Sequence, residues 1–201
     1  RSALDDGRLS DGFDAPCRGD HDLNPDLRPG RLLTPAAVLV PLIDRPEGMT
    51  VLLTRRSDSL PHHAGQISFP GGCIEPHDAD AADAALREAE EEVGLPRSAV
   101  EIVGRLDTYL TRTGFAVTPV VGIVTPPLTL APDPVEVAEA FEAPLAFLLD
   151  RANHRRDSRE YNGGVRHFYA MPWGHHYIWG ATAGMLVNLC DVLDPGIGSS
   201  A

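Results

Sequence analysis

One segment constrains this chain more than any other. Residues 79 to 93 are rich in alanine, include Leu86 and Val93, and run into Gly94 and Pro96, a composition that predicts a helix stopping there. At about 100° per residue, with Glu88 as origin, Glu91 falls at about −60° and Glu92 at about +40°. Ala85, Leu86, Ala89 and Val93 share the neighbouring face, while Glu90 projects toward solvent. A helix of this kind must lay its apolar stripe on a sheet while holding three carboxylates together along one border. At ~6 Å and an effective dielectric of ~20, each close pair of such charges repels by roughly 3 kcal/mol before screening. A cation relieves that repulsion, and oxygen-only ligands suit Mg²⁺ or Mn²⁺. Arg87, four residues before Glu91, is placed to orient it through a charge-assisted hydrogen bond.

Taken alone, Glu88-Ala89-Glu90-Glu91-Glu92 reads as a solvated helix face. Its surroundings argue for a site. Gly71 and Gly72 precede it by a loop-length connector and allow close backbone approach to a metal or phosphate. The rest of the chain supplies the sheet. Ala36 to Ile43 and Met49 to Thr54 are apolar runs around an Asp-Arg-Pro-Glu-Gly turn, predicting a hairpin. A loop is expected from Arg55 to Gly72. Strands are expected at Val100 to Leu106 and at Phe115 to Val124, where Pro119 argues for an edge or bulge. A Pro-rich loop (125–134), a helix near Leu145 to Arg151, strands at His167 to Trp173 and His175 to Trp179, and a closing helix at Gly180 to Leu193 complete the pattern. Without regular βαβ alternation, this is an α+β or layered α/β/α domain. We divide the chain into an irregular N-terminal arm (1–33), one domain (34–193) and a C-terminal tail (194–201).

Charge narrows the function. Against 17 Lys+Arg stand 29 Asp+Glu, a net −12, which disfavours nucleic acid and anionic membranes as partners. No apolar run is long enough to span a bilayer. No signal peptide opens the chain, and a start at Arg1 leads us to expect residues before it. Cys17, Cys73 and Cys190 are widely spaced and form no CxxC, pointing to free thiols and a cytoplasmic setting.

Arg87-Glu88-Ala89-Glu90-Glu91-Glu92-Val93-Gly94-Leu95 after Gly72 resembles the signature helix of the Nudix hydrolases. The box is one residue longer than usual and has Asp78 where its first Glu is expected. That departure is shared by the coenzyme A diphosphatase branch. Leu52-Leu53-Thr54-Arg55-Arg56-Ser57, then Leu60, His63, Gly65-Gln66-Ile67 and Phe69-Pro70-Gly71-Gly72, resembles the branch's own motif, as do residues 117–122 and 179–184. Where the branch usually carries Arg after the leucine, this chain has Pro61; His62, His63 and Arg55 are the nearby candidates to replace it.

The resemblance implies a Nudix fold, an α/β/α sandwich with a mixed sheet, and hydrolysis of the diphosphate bond of coenzyme A to 4′-phosphopantetheine and 3′,5′-ADP. It implies Glu88, Glu91 and Glu92 as metal ligands for Mg²⁺ or Mn²⁺, with Arg87 orienting them. Arg55, His63, Gly65, Gln66, Gly71 and Gly72 are the implied substrate-binding positions. For the general base we select Glu136, with Glu139 and Glu142 in reserve. Two other readings stay open: the same chemistry on another nucleoside diphosphate derivative such as ADP-ribose, or a ligand-binding domain without turnover. The intact Arg87, Glu88, Glu91 and Glu92 speak for an enzyme. A homodimer is compatible with the sequence.

The remaining candidates read as structural. Adjacent side chains diverge on regular elements, and no Cys or carboxylate lies at zinc spacing from His62-His63 or His175-His176, so no zinc site is expected. No serine occupies a nucleophile-elbow sequence. Phe168, Trp173, Tyr177 and Trp179 read as core packing, and Arg151, Arg155, Arg156 and Arg159 as a solvated helix end or loop.

Overall fold

The computed structural model describes residues 17–27, 32–161 and 163–194. Part of the expected irregular arm is ordered: a strand, β1 (Cys17–Gly19), precedes two 3-10 turns, Asp20–Asp22 and Pro25–Leu27. Polar side chains anchor it, so no apolar period announced it. Asp20 accepts hydrogen bonds from the Tyr109 hydroxyl (3.0 Å) and the Arg112 amide (2.8 Å), and Arg18 donates to Asp191 (3.0 Å). Residues 1–16 and 28–31 of the arm, and 195–201 of the tail, lie outside the described residues.

The two apolar runs become β2 (Thr34–Ile43) and β3 (Thr50–Arg56), paired antiparallel only next to their turn, at Leu42–Val51 and Ile43–Thr50. Beyond that point the strands part. The expected loop from Arg55 to Gly72 is interrupted by β4 (Ile67–Ser68), which joins β3, and β5 (Gly71–Cys73), which joins β2. Helix α1 (Ala81–Val93) begins two residues later than composition suggested because Asp80 is its N-cap, accepting from the Asp83 amide at 2.9 Å. Gly94, left-handed at φ 67°, closes it.

Then come β6 (Val100–Arg105), β7 (Thr108–Leu110) and β8 (Phe115–Val124). Contrary to the edge or bulge expected from Pro119, β8 is central, parallel to β2 along its whole length and flanked by β6 and β7 on the other side. The Pro119 carbonyl accepts from the Leu106 amide at 3.0 Å, so the missing N–H faces the junction between β6 and β7, where no ladder donor is required.

Strand β9 (Val137–Pro144) was not foreseen. Its Ala and Glu residues are poor strand formers, and antiparallel pairing with β3 decides its conformation. Helix α2 (Leu145–Leu149) is shorter than expected and leads into a 3-10 turn at Arg151–Asn153. A separate antiparallel sheet follows: β10 (Arg155–Tyr161), β11 (Gly164–Trp173) and β12 (His176–Trp179). Arg155, Arg156 and Arg159 therefore lie on a strand, and Arg151 pairs with Asp191 at 2.8 Å. Phe168, Trp173 and Trp179 are only partly buried and Tyr177 is exposed, because this small sheet has one open face. Helix α3 (Ala181–Leu193) closes the fold.

Among the described residues β1 to β9 form one mixed sheet. Both of its faces are covered, which is why β2 and β3 read as continuous apolar runs. Ala37, Leu39, Leu52, Val120 and Val124 meet Ala81, Ala84, Ala85, Ala89 and Val93 of α1. Val40, Leu42, Val51, Leu53 and Val121 meet Leu148 of α2, Met171 and Ile178 of the small sheet, and Ala183, Leu186 and Leu189 of α3. The layers are helix, sheet, helix. No described helix is long and apolar enough to cross a membrane.

Candidate active site

Four fully buried or nearly buried alanines bring α1 close to the sheet, and that close approach sets its acidic border against β5. A Cβ on Gly71, at φ 157°, would strike the Ala37 carbonyl and lie 2.6 Å from Val38 Cα. A Cβ on Gly72 would lie 2.5 Å from Glu88 Oε1. Gly71 thus lets β5 lie close against β2, and Gly72 lets the Glu88 carboxylate lie directly on the backbone of β5. The Gly71 amide also points at Glu92 Oε2, 3.4 Å away.

The three carboxylates occupy different environments. Glu91 is exposed, Glu88 is partly buried, and Glu92 is 4% exposed. Burial pushes the Glu92 carboxyl up to about 8, reinforced by the charges of Glu88 and Glu136 and opposed by Arg56, whose Nη1 lies 3.7 Å from Glu92 Oε1. Burial also raises Glu88, with Glu91 and Glu136 adding to the effect and Arg87 opposing it. Arg87 donates from Nη1 to Glu88 at 2.9 Å and Glu91 at 3.1 Å. Its Nε and Nη2 are clamped by both oxygens of Asp78, at 2.9 and 3.0 Å. These bonds hold the Asp78 carboxyl well below the usual carboxylate range, helped by the Glu75 amide at 2.7 Å, and hold the Arg87 guanidinium well above its ordinary value. Two buried or half-buried carboxylates that resist ionisation beside a third, all oxygen donors, fit a hard divalent cation.

Glu136 belongs to the same neighbourhood. The loop before β9 runs along the end of α1, with the Ala131 and Asp133 amides donating to the Val93 and Glu92 carbonyls at 2.9 Å each. Glu136 is exposed, and its charge acts on both Glu88 and Glu92. The reserve candidates are turned elsewhere. Glu139 meets His176 at 3.1 Å, while Glu142 accepts from Arg45 and Thr50.

The expected substrate-binding loop folds on itself. His63 Nδ1 meets Gln66 Oε1 at 2.9 Å, and Arg55 donates to both Asp58 oxygens at 3.0 and 3.2 Å. The Gly65 amide donates to the Arg56 carbonyl and the Arg56 amide to the Gln66 carbonyl. Among the described residues, no side chain of Arg55, His63 or Gln66 hydrogen-bonds to the acidic helix. Strand β3 reaches that helix instead, through Arg56 at its end. The sequence leaves Arg56 open between the surface and an acidic substrate and puts Asp78 in the Glu slot of the motif, and neither is among the expected site residues. Strand alternation, which sends Arg55 and Arg56 to opposite sides, was the available signal for the first; the position of Asp78 in the Glu slot of the motif was the signal for the second.

The chain as a whole is similar to known proteins. The NUDIX domain family matches residues 33–160. A Nudix hydrolase NudL of Yersinia enterocolitica, described as uncharacterized, is 46% identical over 160 residues, covering 77% of this chain and 78% of its own. Its namesake from Escherichia coli K12, described in the same way, is 47% identical over 156 residues, covering 77% and 80%. Among solved structures, the Nudix hydrolase RenU of M. smegmatis superposes with a TM-score of 0.57 at 19% identity, covering 86% of this chain and 99% of its own, a likeness of fold alone.

Proposed function

This chain belongs to the Nudix family of hydrolases acting on pyrophosphate bonds, and from that premise we propose that it cleaves coenzyme A or its derivatives to 4′-phosphopantetheine and 3′,5′-ADP. One observation carries the catalytic part: Glu88 and Glu92 lie against the Gly71-Gly72 backbone, with Arg87 bridging Glu88 to Glu91 and Arg56 facing Glu92. The substrate part is supported by the motif between Leu52 and Gly72.

In this reading Glu88, Glu91 and Glu92 hold Mg²⁺ or Mn²⁺. Bound there, the cation supplies neutralisation of diphosphate oxygens and a more acidic water. The protein's own part is positioning and proton transfer. Asp78 fixes the Arg87 fork, which in turn fixes the rotamers of Glu88 and Glu91. Arg56 offsets the buried charge of Glu92. Glu136, exposed and beside these groups, takes the proton of the attacking water, whose oxygen joins one phosphorus while the bridging oxygen leaves with the other. Gly71 and Gly72 admit the phosphates, and Arg55, His63, Gly65 and Gln66 form the substrate side.

Product analysis tests it. The protein is incubated with coenzyme A, ADP-ribose and a nucleotide panel in Mg²⁺ or Mn²⁺, and products are separated. The reading expects 3′,5′-ADP from coenzyme A, with Pro61 tolerated. Cleavage confined to ADP-ribose or triphosphates would keep the chemistry and remove the coenzyme A assignment; cleavage of none would favour a ligand-binding domain.

A further inference from the structure

Away from the acidic helix, a second set of ligating side chains comes together. Glu139 on β9, His175 in the turn after Trp173, and His176 at the start of β12 each present a ligand atom, and the three lie within 4.8 Å of one another. Glu139 Oε1 is 3.1 Å from His176 Nε2 and 3.9 Å from His175 Nε2. Sequence reasoning set this pair aside on the ground that adjacent side chains diverge. That rule holds within a strand, but His175 follows Gly174 in a turn outside the ladder, and the two imidazoles lie 3.9 Å apart, tilted 37°. The carboxylate it lacked arrives from a strand that pattern reading did not find.

We propose that Glu139, His175 and His176 bind a divalent cation of the zinc class, separate from the cation of the acidic helix. Donor chemistry makes the choice. Two imidazoles and one carboxylate suit Zn²⁺ and its late first-row neighbours, whereas Mg²⁺ and Mn²⁺ prefer the all-oxygen set of α1. Tetrahedral zinc with bonds of ~2.0–2.2 Å requires ligand atoms about 3.4 Å apart, a value that the two distances to Glu139, 3.1 and 3.9 Å, bracket. The site is built more on packing than on chance contact. His176 is 7% exposed, its ring stacked on Phe141 at 3.6 Å with planes 6° apart and flanked by Trp173 at 5.5 Å. Its Nδ1 has no hydrogen-bond partner, so stacking, not a second bond, orients the ring. His175, with its side chain 80% exposed, gives an ion access from solvent.

Position suggests the consequence. Glu139 belongs to the nine-stranded sheet, His176 to the three-stranded one and His175 to the turn that enters it, so the ion ties the two sheets together. Glu139 also stands opposite Arg55 in the β3–β9 ladder, next to the loop of residues 57–66.

The test is a calorimetric Zn²⁺ titration of the full chain in excess Mg²⁺, with thermal unfolding alongside. One Zn²⁺ equivalent is expected in the parent protein and in Glu92→Gln, with an unfolding temperature that rises as Zn²⁺ is added. His175→Ala and Glu139→Gln are expected to weaken binding by about 100-fold or more and to abolish the thermal shift. His175 is exposed and Glu139→Gln preserves size, so neither change threatens folding. Stoichiometry unaffected by both variants, loss only in Glu92→Gln, or no binding at all would overturn the proposal and leave an imidazole–carboxylate pair.

Discussion

Arg56 and Asp78 restrain the acidic border from opposite sides: one is the cation facing buried Glu92, the other the anion that fixes Arg87. Neither needs to touch substrate to matter. Asp78→Asn keeps the shape and loses the charge-assisted fork, so kcat/KM should fall by about 10- to 100-fold and the Mg²⁺ concentration for half-maximal rate should rise. Arg56→Ala leaves Glu92 with less to offset its burial; activity should drop at least as far, with the fold intact. A third prediction concerns pH. The hydrogen bonds from Arg45 and Thr50 hold the Glu142 carboxyl below its ordinary value. The folded form therefore binds this proton less readily than the unfolded chain. Its stabilisation is complete above the ordinary carboxyl range and disappears as pH falls through the lowered value. Melting temperatures from pH 7 downward should show an acid loss that is smaller in Glu142→Gln. The acidic set was legible because its spacing forces one helix face. Arg56 was harder: alternation says that two neighbouring arginines part, but not which one turns toward an acidic helix distant in sequence.

At the scale of elements, the alanines of α1 matter as much as its glutamates. Ala84, Ala85 and Ala89 are fully buried against β2 and β8, and any larger side chain must lift the helix. Ala89→Leu should cost about 1–3 kcal/mol. Since residue 89 adjoins Glu88 and lies one turn from Glu92, turnover should fall as well; denaturant unfolding and steady-state rates would show both effects. The helix, the β2–β3 pair, β8 and α3 were readable because their burial imprints a period. Strands β9 and β10 were not. The first is mostly Ala and Glu and the second mostly exposed polar and charged residues, so pairing with β3 and β11 decides them and leaves little local trace. Pro119 was misread for a related reason: a missing donor matters only if its neighbour needs one, and the gap between β6 and β7 lies beyond the reach of a sequence pattern.

The whole molecule is an acidic chain that faces an anionic class of substrate. With a net charge of −12, it has no general attraction for a diphosphate. In the function proposed above, binding depends on a divalent cation held at Glu88, Glu91 and Glu92 and on a few local arginines. We propose these three carboxylates, two of them set against the Gly71-Gly72 backbone and the third joined to them by Arg87, as the catalytic centre. The most direct measurement compares Glu92→Gln with the parent protein for coenzyme A turnover at saturating Mg²⁺, with melting temperature as the control. The proposal predicts a loss on the order of 10²-fold or more, with a melting temperature in metal-free buffer that is unchanged or higher, because a buried carboxyl that resists ionisation gives way to a neutral amide of the same size. Turnover within a few-fold of the parent would contradict it.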